Sequence, residues 1–220
     1  TGGIAALTLA QQGIKVLVIE AGPQIKRSEA YANEPKDTLN RISSLISKKH
    51  INQIQHPGYW KNNPNLYADE KKYPYDSPKN KPFLWTQSRQ YGGRSLTWGG
   101  ITLRLAPSDF NSSLKDSFGP QWPISYDNIS IHYDYIENFN GIYGRKDNIK
   151  QIPDGKYIGE IPLTESEEFF GEQIKSKLNY PFIQSRGFDR NSSVKEKYWP
   201  KSSSIGSSLK KAISTGNVQI

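Results

Sequence analysis

The chain opens with a helical pattern, a glycine and an apolar run. Between Gly2 and Gln12 apolar positions recur at helical spacing, and Gly13 can adopt the left-handed backbone that ends a helix. The run Lys15–Glu20 is almost continuous in β-branched and leucine side chains, which is typical of a strand buried on both faces. Residues 21–23 (Ala-Gly-Pro) end this strand. The pattern predicts half of a βαβ unit and hence an α/β fold. The helical apolar positions are Ile4, Ala6, Leu7 and Ala10.

The next part of the chain has weaker periodicity. Leu39, Ile42, Leu45 and Ile46 predict an amphipathic helix that ends near Lys48-Lys49. Residues 57–82 contain five prolines, so we predict an extended surface excursion there. A loop of that length in a compact domain usually serves as a lid or a binding segment.

Four further elements are predicted towards the C-terminus. A helix should follow Ser125 or Asp127 as its cap and run through residues 129–137, and another should span Ser166–Leu178. A third helix is predicted over Ser207–Ser214, closed by Gly216, with a strand beginning at Val218.

Composition narrows the possible classes of protein. The 220 residues carry a net charge of +8, but the lysines are scattered in pairs and no nucleic-acid-binding motif accompanies them. A solvated basic surface is therefore preferred over nucleic-acid binding. Without cysteine there are no disulfides, thiolate metal sites or cysteine nucleophiles. The chain contains no Met and opens inside a helical pattern, so we expect a processed or, preferably, truncated product. The compartment stays open.

The first chemical motif is half of a dinucleotide-binding pattern. Such folds place a glycine-rich turn before the first helix, where the backbone approaches a pyrophosphate. An acidic residue at the end of the next strand then receives the ribose hydroxyls. Gly2 could be the third glycine of that turn and Glu20 the acidic residue. An ordinary helix–strand pair that ends in a glutamate is the alternative.

The second motif is a short run with paired glycines at both ends, residues 91–100 (Tyr-Gly-Gly-Arg-Ser-Leu-Thr-Trp-Gly-Gly). Glycines remove side chains where a flat cofactor must lie against the backbone. Ser95 and Thr97 add hydroxyl groups, and Trp98 offers a planar surface. The alternative is a glycine-rich turn beside a core tryptophan.

Together these segments resemble the glucose–methanol–choline (GMC) oxidoreductase family. Residues 1–23 are similar to its FAD-binding start, 92–100 to its second flavin-contacting segment, 122–134 to its next marker, and 212–220 to the return into the FAD domain. The resemblance implies an FAD/NAD(P)-binding Rossmann-like fold with an intercalated α+β substrate domain, both partial. The implied FAD-binding domain covers residues 1–139 and 201–220, and residues 140–200 belong to the substrate domain or an insertion.

The resemblance also implies a role for each segment in binding FAD. The start of the chain and the end of the predicted strand would serve the ADP half, the first glycine pair the pyrophosphate and ribityl region, and the end of the run the isoalloxazine. A cationic side chain ahead of the run would pair with a phosphate or lie on the surface. The ADP half would be bound by Gly2, Glu20 and Ala21, and the pyrophosphate and ribityl region by Gly92, Gly93 and Ser95. The isoalloxazine would be approached by Thr97, Trp98 and Gly99, and the cationic side chain is that of Arg89.

Two departures from the family pattern sharpen the expectation. Many members have Asn at the position of Trp98, and the tryptophan is more like the pyranose oxidase and sugar or gluconate dehydrogenase branches. Some relatives carry a histidine at the position of Thr97 that bonds covalently to FAD. Threonine cannot form that bond, so the resemblance implies that FAD is held non-covalently.

The implied reaction is oxidation of a CH–OH group of a sugar, polyol or sugar acid, with hydride passing to flavin N5. The family's catalytic base is a late histidine, and His50, His56 and His132 do not lie in that context. Each is interpreted as a surface or capping residue, so no catalytic residue is assigned and the chain alone should be inactive. Quinone, cytochrome or oxygen would be the external acceptor, and any membrane association would come through a partner. Another FAD oxidoreductase of this fold or a degenerate flavoprotein module are the alternatives.

Overall fold

The computed structural model describes residues 1–31, 34–189 and 198–220, which form two compact units. Unit 1 combines Thr1–Gly99 with the described residues of Ser193–Ile220, and unit 2 comprises the described residues of Gly100–Ser192. The domain division predicted from the sequence at 139 and 200 concerns a cofactor-binding role and stays a prediction. The helices are α1 (Gly2–Gln11), α2 (Arg27–Ala30), α3 (Glu34–Ile46), α4 (Pro107–Phe110), α5 (Ser112–Asp116), α6 (Tyr126–Asn140), α7 (Glu165–Leu178) and α8 (Ser208–Ser214), and the strands are β1 (Val16–Leu17) and β2 (Val218–Gln219).

In unit 1, helices α1 and α8 pack together beside a short parallel pair of strands. Leu7 of α1 and Ala212 of α8 are completely buried. The helices approach closely because Gly3 has no side chain: a Cβ there would lie 2.6 Å from Ser208 Oγ. Val16 of β1 pairs with Val218 of β2. The predicted first and last helices and the final strand are therefore confirmed.

Two glycines end these helices as predicted. Gly13 has a φ of +81° and donates its N–H to Ala10, while the N–H of Ile14 reaches back to Leu9. This pair of bonds is a Schellman motif, which satisfies carbonyls that the helix leaves open. Gly216 has a φ of +74° just after α8.

The predicted burial of the first strand is wrong. Only Val16 and Leu17 adopt strand structure, and the side chains of Leu17 and Ile19 are 67% and 90% exposed. In the described two-stranded sheet β1 pairs with β2, and no described element covers the side chains of Leu17 and Ile19. No third described strand lies on the other edge to extend it.

Helix α3 forms where it is predicted but turns its apolar side outward. Leu39, Ile42, Leu45 and Ile46 are exposed, whereas Asp37, Arg41 and Ser44 are buried. The buried side faces residues 57–66, which offer polar groups: Arg41 donates to the carbonyl of Asn62 at 3.2 Å. The Tyr59 hydroxyl also forms a hydrogen bond with the side chain of Ser44. Polar partners thus decide which face of α3 is inside.

The predicted surface excursion is correct only in its second half. Residues 57–61 and 64–66 form two short 3₁₀ helices, each with proline in its first turn. Tyr59 and Leu66 within them are buried, and Leu66 joins the core of unit 1, so the excursion is wrong for residues 57–68. Residues 71–82 are mostly exposed and have no regular structure. That core contains Ala30, Leu66, Leu96, Ile205 and Leu209.

Unit 2 contains the two long helices that the sequence predicts. Ser125 caps α6 by accepting the N–H of Asn128 at 3.3 Å, and Gly141 ends the helix with a φ of +69°. Thr164 caps α7 in the same way, accepting the N–H of Glu167. Ser125 rather than Asp127 is therefore the cap.

Two buried arginines hold the rest of unit 2 together. Arg104 donates to Glu137 and Asp134 of α6. Arg186 is 1% exposed, pairs with Asp147 at 3.0 Å and Asp154 at 2.6 Å, and donates to two carbonyls of the same loop. Partial burial of Asp154 acts to raise its pKa, but backbone N–H groups and Arg186 outweigh it and hold that pKa below the usual value. Ion pairs and hydrogen bonds to Arg186 therefore hold residues 147–154 in place.

The two arginines that contact Asp147 differ sharply in burial, which provides a matched test. Arg186→Met leaves two carboxylates without their buried partner, so the free energy of unfolding should fall by about 3 to 5 kcal/mol. Arg145 also pairs with Asp147 at 3.0 Å, but its side chain is 43% exposed. Arg145→Met should therefore cost about 1 kcal/mol or less. Guanidinium denaturation followed by circular dichroism measures both, and equal losses would contradict this account.

Candidate functional site

The segment that follows β1, residues 20–23, contacts the backbone at the start of the glycine-rich run. A Cβ on Gly22 would overlap the backbone of Arg89 and Gln90. The N–H of Tyr91 donates to the carbonyl of Pro23 at 2.9 Å. Burial raises the pKa of Tyr91, and the negative charge of Glu20 adds to the increase, so Glu20 lies near this ring. The two segments predicted to bind one cofactor are therefore neighbours in unit 1.

The glycine-rich run turns sharply at its start. Gly92 and Gly93 have φ values of +93° and +52°, a region that side chains other than glycine rarely occupy. Residues Gly93–Leu96 then form one turn of 3₁₀ helix, and Leu96 enters the core of unit 1. The turn also packs against Ile205, which a Cβ on Gly92 would approach to 3.3 Å. The run is thus anchored on its inner side.

The predicted polar side chains are engaged within the protein. Glu20 accepts the N–H of Gly22 at 2.8 Å. The hydroxyl of Ser95 donates to the carbonyl of Gly92 at 2.6 Å and accepts the N–H of Ser204 at 3.0 Å. Thr97 shares a hydrogen bond of 3.0 Å with Ser88. These contacts make the hydroxyls part of the loop's own framework.

Trp98 and Arg89 make different contacts in unit 1. The indole N–H of Trp98 donates to the carbonyl of Ser202 at 2.9 Å, while 43% of the side chain stays exposed. The guanidinium of Arg89 lies 4.2 Å from the centre of the Tyr73 ring. Its Nε is buried and has no hydrogen-bond partner among the described residues. Trp98 thus presents a planar surface, and Arg89 a buried donor.

The remaining predicted site residues expose backbone. Ala21 and Gly99 are exposed. Gly2 lies in the first turn of α1, and a Cβ built there meets no atom within 4 Å. Gly2 thus leaves open space beside the start of α1.

The sequence analysis did not identify residues 202–204, which hydrogen-bond to the glycine-rich run. Ser202 and Ser204 bond Trp98 and Ser95, and Ser203 is fully buried. The available signal was the serine-rich stretch 202–208, because serine hydroxyls and adjacent N–H groups favour bonds to nearby loops over regular structure.

The three histidines lie in different environments. His56 caps a 3₁₀ helix by accepting the N–H of Gly58 at 3.0 Å, and His132 is exposed, as predicted. His50 is 4% exposed and shares a 3.2 Å hydrogen bond with Tyr59, so its assignment to the surface or a cap is wrong. Its neighbours are tyrosine rings, which a lone histidine in a loop sequence did not indicate.

Other kinds of site receive no support in the described part of the chain. No group of three or more His, Cys, Asp or Glu residues could hold a metal ion there. Nor is any described helix both long enough and apolar enough to cross a bilayer. Within unit 1 the meeting of residues 20–23 with the glycine-rich run is the best-formed candidate.

The chain is similar to a known dehydrogenase. It is 25% identical over 196 residues to the fructose dehydrogenase large subunit of Gluconobacter japonicus. The match covers 84% of this chain and 34% of that protein, so the chain spans about a third of its relative's length. No family model matches the sequence. The similarity is to an oxidoreductase, which agrees with the broad class expected from the sequence.

The contact at Gly22 predicts the effect of one added methyl group. Gly22→Ala places a Cβ within the space of the Arg89–Gln90 backbone, so the free energy of unfolding should fall by about 3 kcal/mol. Gly2→Ala is the control, because its Cβ meets nothing and alanine favours helix. Urea denaturation compares the two. An unchanged midpoint for Gly22→Ala would disprove the backbone contact.

The burial of His50 predicts how stability depends on pH. Burial lowers the pKa of His50 in the folded chain, so below about pH 6.5 the unfolded chain takes up a proton that the folded chain does not. This contribution to stability is present above that pH and is lost as the pH falls, by at most about 1.4 kcal/mol per pH unit. The slope should decrease in His50→Gln and persist in His132→Gln. Denaturation at pH 7, 6 and 5 measures it, and equal slopes in both variants would refute the assignment.

Proposed function

We propose that this chain contributes the flavin-contacting part of an FAD-dependent oxidoreductase of the GMC type, in the sugar dehydrogenase or pyranose oxidase branch. The whole protein would oxidise a CH–OH group of a sugar, polyol or sugar acid. The observation that carries the proposal is the backbone contact of Gly22 with Arg89 and Gln90. It brings together two separate segments that the family uses for one cofactor. Similarity to a fructose dehydrogenase subunit supports the same reaction class.

Unit 1 offers residues of the kinds that a dinucleotide site needs. A pyrophosphate needs a place where backbone can approach it without side chains. Gly2 leaves open space beside the start of α1, and the left-handed Gly92–Gly93 turn lacks side chains on its outer surface. Arg89, whose guanidinium lies over the Tyr73 ring, supplies a positive charge just ahead of that turn.

Each part of the cofactor has a proposed neighbour in unit 1. Glu20 would exchange its bond to the Gly22 N–H for the ribose hydroxyls, and Ala21 would line the same end. Ser95 would hold the turn in shape through Gly92 and Ser204 rather than bind the cofactor with its own hydroxyl. The exposed face of Trp98 would flank the ring system with Thr97 and Gly99. When bound, FAD supplies a hydride acceptor.

The proposal assigns the removal of the substrate proton to a residue outside this chain. Such a base works best with a pKa near neutrality and within hydrogen-bond reach of the alcohol. None of the three histidines qualifies: His50 is bonded inside an aromatic cluster, His56 caps a helix and His132 lies exposed on α6. We therefore propose no catalytic residue here. The relative's description as a large subunit supports a partner or external acceptor that receives the electrons.

Cofactor content tests the proposal directly. The full-length protein that carries this chain should purify with flavin absorbance, and heat or acid denaturation should release FAD into the supernatant because Thr97 cannot bond it covalently. It should also reduce an artificial acceptor with fructose, glucose or gluconate. Flavin retained on the denatured chain would disprove non-covalent binding. If the protein folds but does not bind FAD, it is a degenerate flavoprotein module. If it binds FAD but oxidises only amines or steroids, it is a different FAD oxidoreductase of the same fold.

One variant links FAD binding to the residues described above. Gly2→Ala should weaken FAD binding about tenfold, equivalent to about 1.4 kcal/mol, because the methyl group occupies the space proposed for the pyrophosphate. Its folded stability should not decrease. Gln11→Ala, at the exposed far end of α1, is the matched control and should bind FAD like the parent protein. Flavin fluorescence titration measures both, and equal affinities would remove Gly2 from the site.

A further inference from the structure

Unit 2 contains a cavity that the proposed flavin site does not use. It has a volume of about 560 Å³ and lies between α6 and the loop that follows it. That volume is within the usual range of small-molecule sites. Residues of both elements form its walls, and those used below are Asp134, Tyr135, Asn138, Lys146, Lys156 and Tyr157.

The loop on one side of the cavity is held rigidly. Arg186 fixes its centre through Asp147 and Asp154. Its far end is fixed by Glu137 of α6, which accepts the N–H of Lys156 at 2.6 Å. Gly155 lies against the same carboxylate, since a Cβ there would approach the Glu137 oxygens to 2.5 Å. Cavity walls that are already ordered reduce the entropy lost on binding.

The charges around the cavity favour an anion. Asp134 is the acidic residue of the lining, and Arg104 already pairs with it at 2.5 Å. Lys156 Nζ lies 4.0 Å from the other oxygen of Asp134, a weak contact at an exposed position. Lys146 makes no ion pair among the described residues. Arg104 is shared between Asp134 and Glu137, so these three groups carry a net charge of about −1. The ammonium groups of Lys146 and Lys156 outweigh it and leave a net positive charge at the cavity.

The other lining groups suit a hydroxylated molecule. Asn138 can both donate and accept hydrogen bonds, and the outer oxygen of Asp134 can accept them. Tyr135 and Tyr157 add rings that can pack against the carbon skeleton of a sugar. A small inorganic anion would not need the asparagine and the tyrosine rings. A neutral sugar would have no anionic group to pair with the lysines.

We propose that this cavity binds a sugar that carries an anionic group, either a phosphate or a carboxylate. Lys146 and Lys156 hold the anion, and Asn138 and Asp134 hold the hydroxyls. Asp134 is kept in position by Arg104. The inference concerns binding in unit 2 and does not depend on FAD, so its failure would leave the proposed flavin site unaffected.

Isothermal titration of the purified protein with four probes tests the proposal. Glucose 6-phosphate and gluconate represent the two sources of the anion, and the tighter of them identifies the source. Glucose and inorganic phosphate each carry half of the recognised chemistry. Both should bind at least about tenfold more weakly than the better anionic sugar, since each lacks one set of charge-assisted or neutral hydrogen bonds.

Three lysine variants locate the site. Lys146→Gln and Lys156→Gln should each weaken binding of the anionic sugar about tenfold. Lys150→Gln is the matched control, because Lys150 is exposed on the same loop but is not part of the cavity lining, and it should bind like the parent. All three positions are exposed, so the variants should fold. Equal weakening by Lys150→Gln, equal binding of phosphate or glucose, or no binding of either anionic sugar at millimolar concentration would overturn the proposal.

Discussion

The organisation of unit 1 depends on one steric condition, the absence of a side chain at Gly22. Because its backbone lies directly against that of Arg89 and Gln90, the segment after β1 and the start of the glycine-rich run share one surface. Other contacts of the glycine-rich run lie beside this approach. Tyr91 bonds Pro23, and Leu96 enters the core. A larger residue would separate two segments that are almost 70 positions apart in the sequence.

Much of the helical structure could be predicted from the sequence, because its signals are local. Gly13, Ser125 and Gly216 mark helix ends through backbone geometry that depends on a few neighbouring residues. The orientation of α3 could not be predicted in this way. Periodicity gives the two faces of a helix, but which face is buried depends on the groups that meet it. The carbonyl of Asn62 and the hydroxyl of Tyr59 favour the polar face. The same long-range packing buries a proline-rich segment whose composition resembles that of a surface loop.

The same difference between local and long-range signals applies to the candidate sites. Glycine positions are visible in the sequence because their spacing and backbone freedom carry the signal, and the structure places Gly22 against the residues that precede the Gly92–Gly93 turn. The roles of individual hydroxyls were less accessible, since Ser95 is engaged by Ser204, which is 109 positions away. The cavity of unit 2 has no sequence motif at all. Its lysines and its carboxylate come from different elements and become neighbours through the pairing of Arg104 and Arg186 with acidic residues.

The outward apolar side of α3 has a consequence for how the protein behaves with temperature. The side chains of Leu39, Ile42 and Ile46 are exposed to water. Near room temperature the free-energy cost of hydrating apolar side chains is mainly entropic. Any contact that covers these side chains therefore gains strength on warming and loses it on cooling. Salts that are excluded from protein surfaces, such as sulfate, also strengthen the burial of apolar side chains. Heat and salt would act on this face in the same direction, so a cold, dilute buffer is the condition that leaves it most fully hydrated.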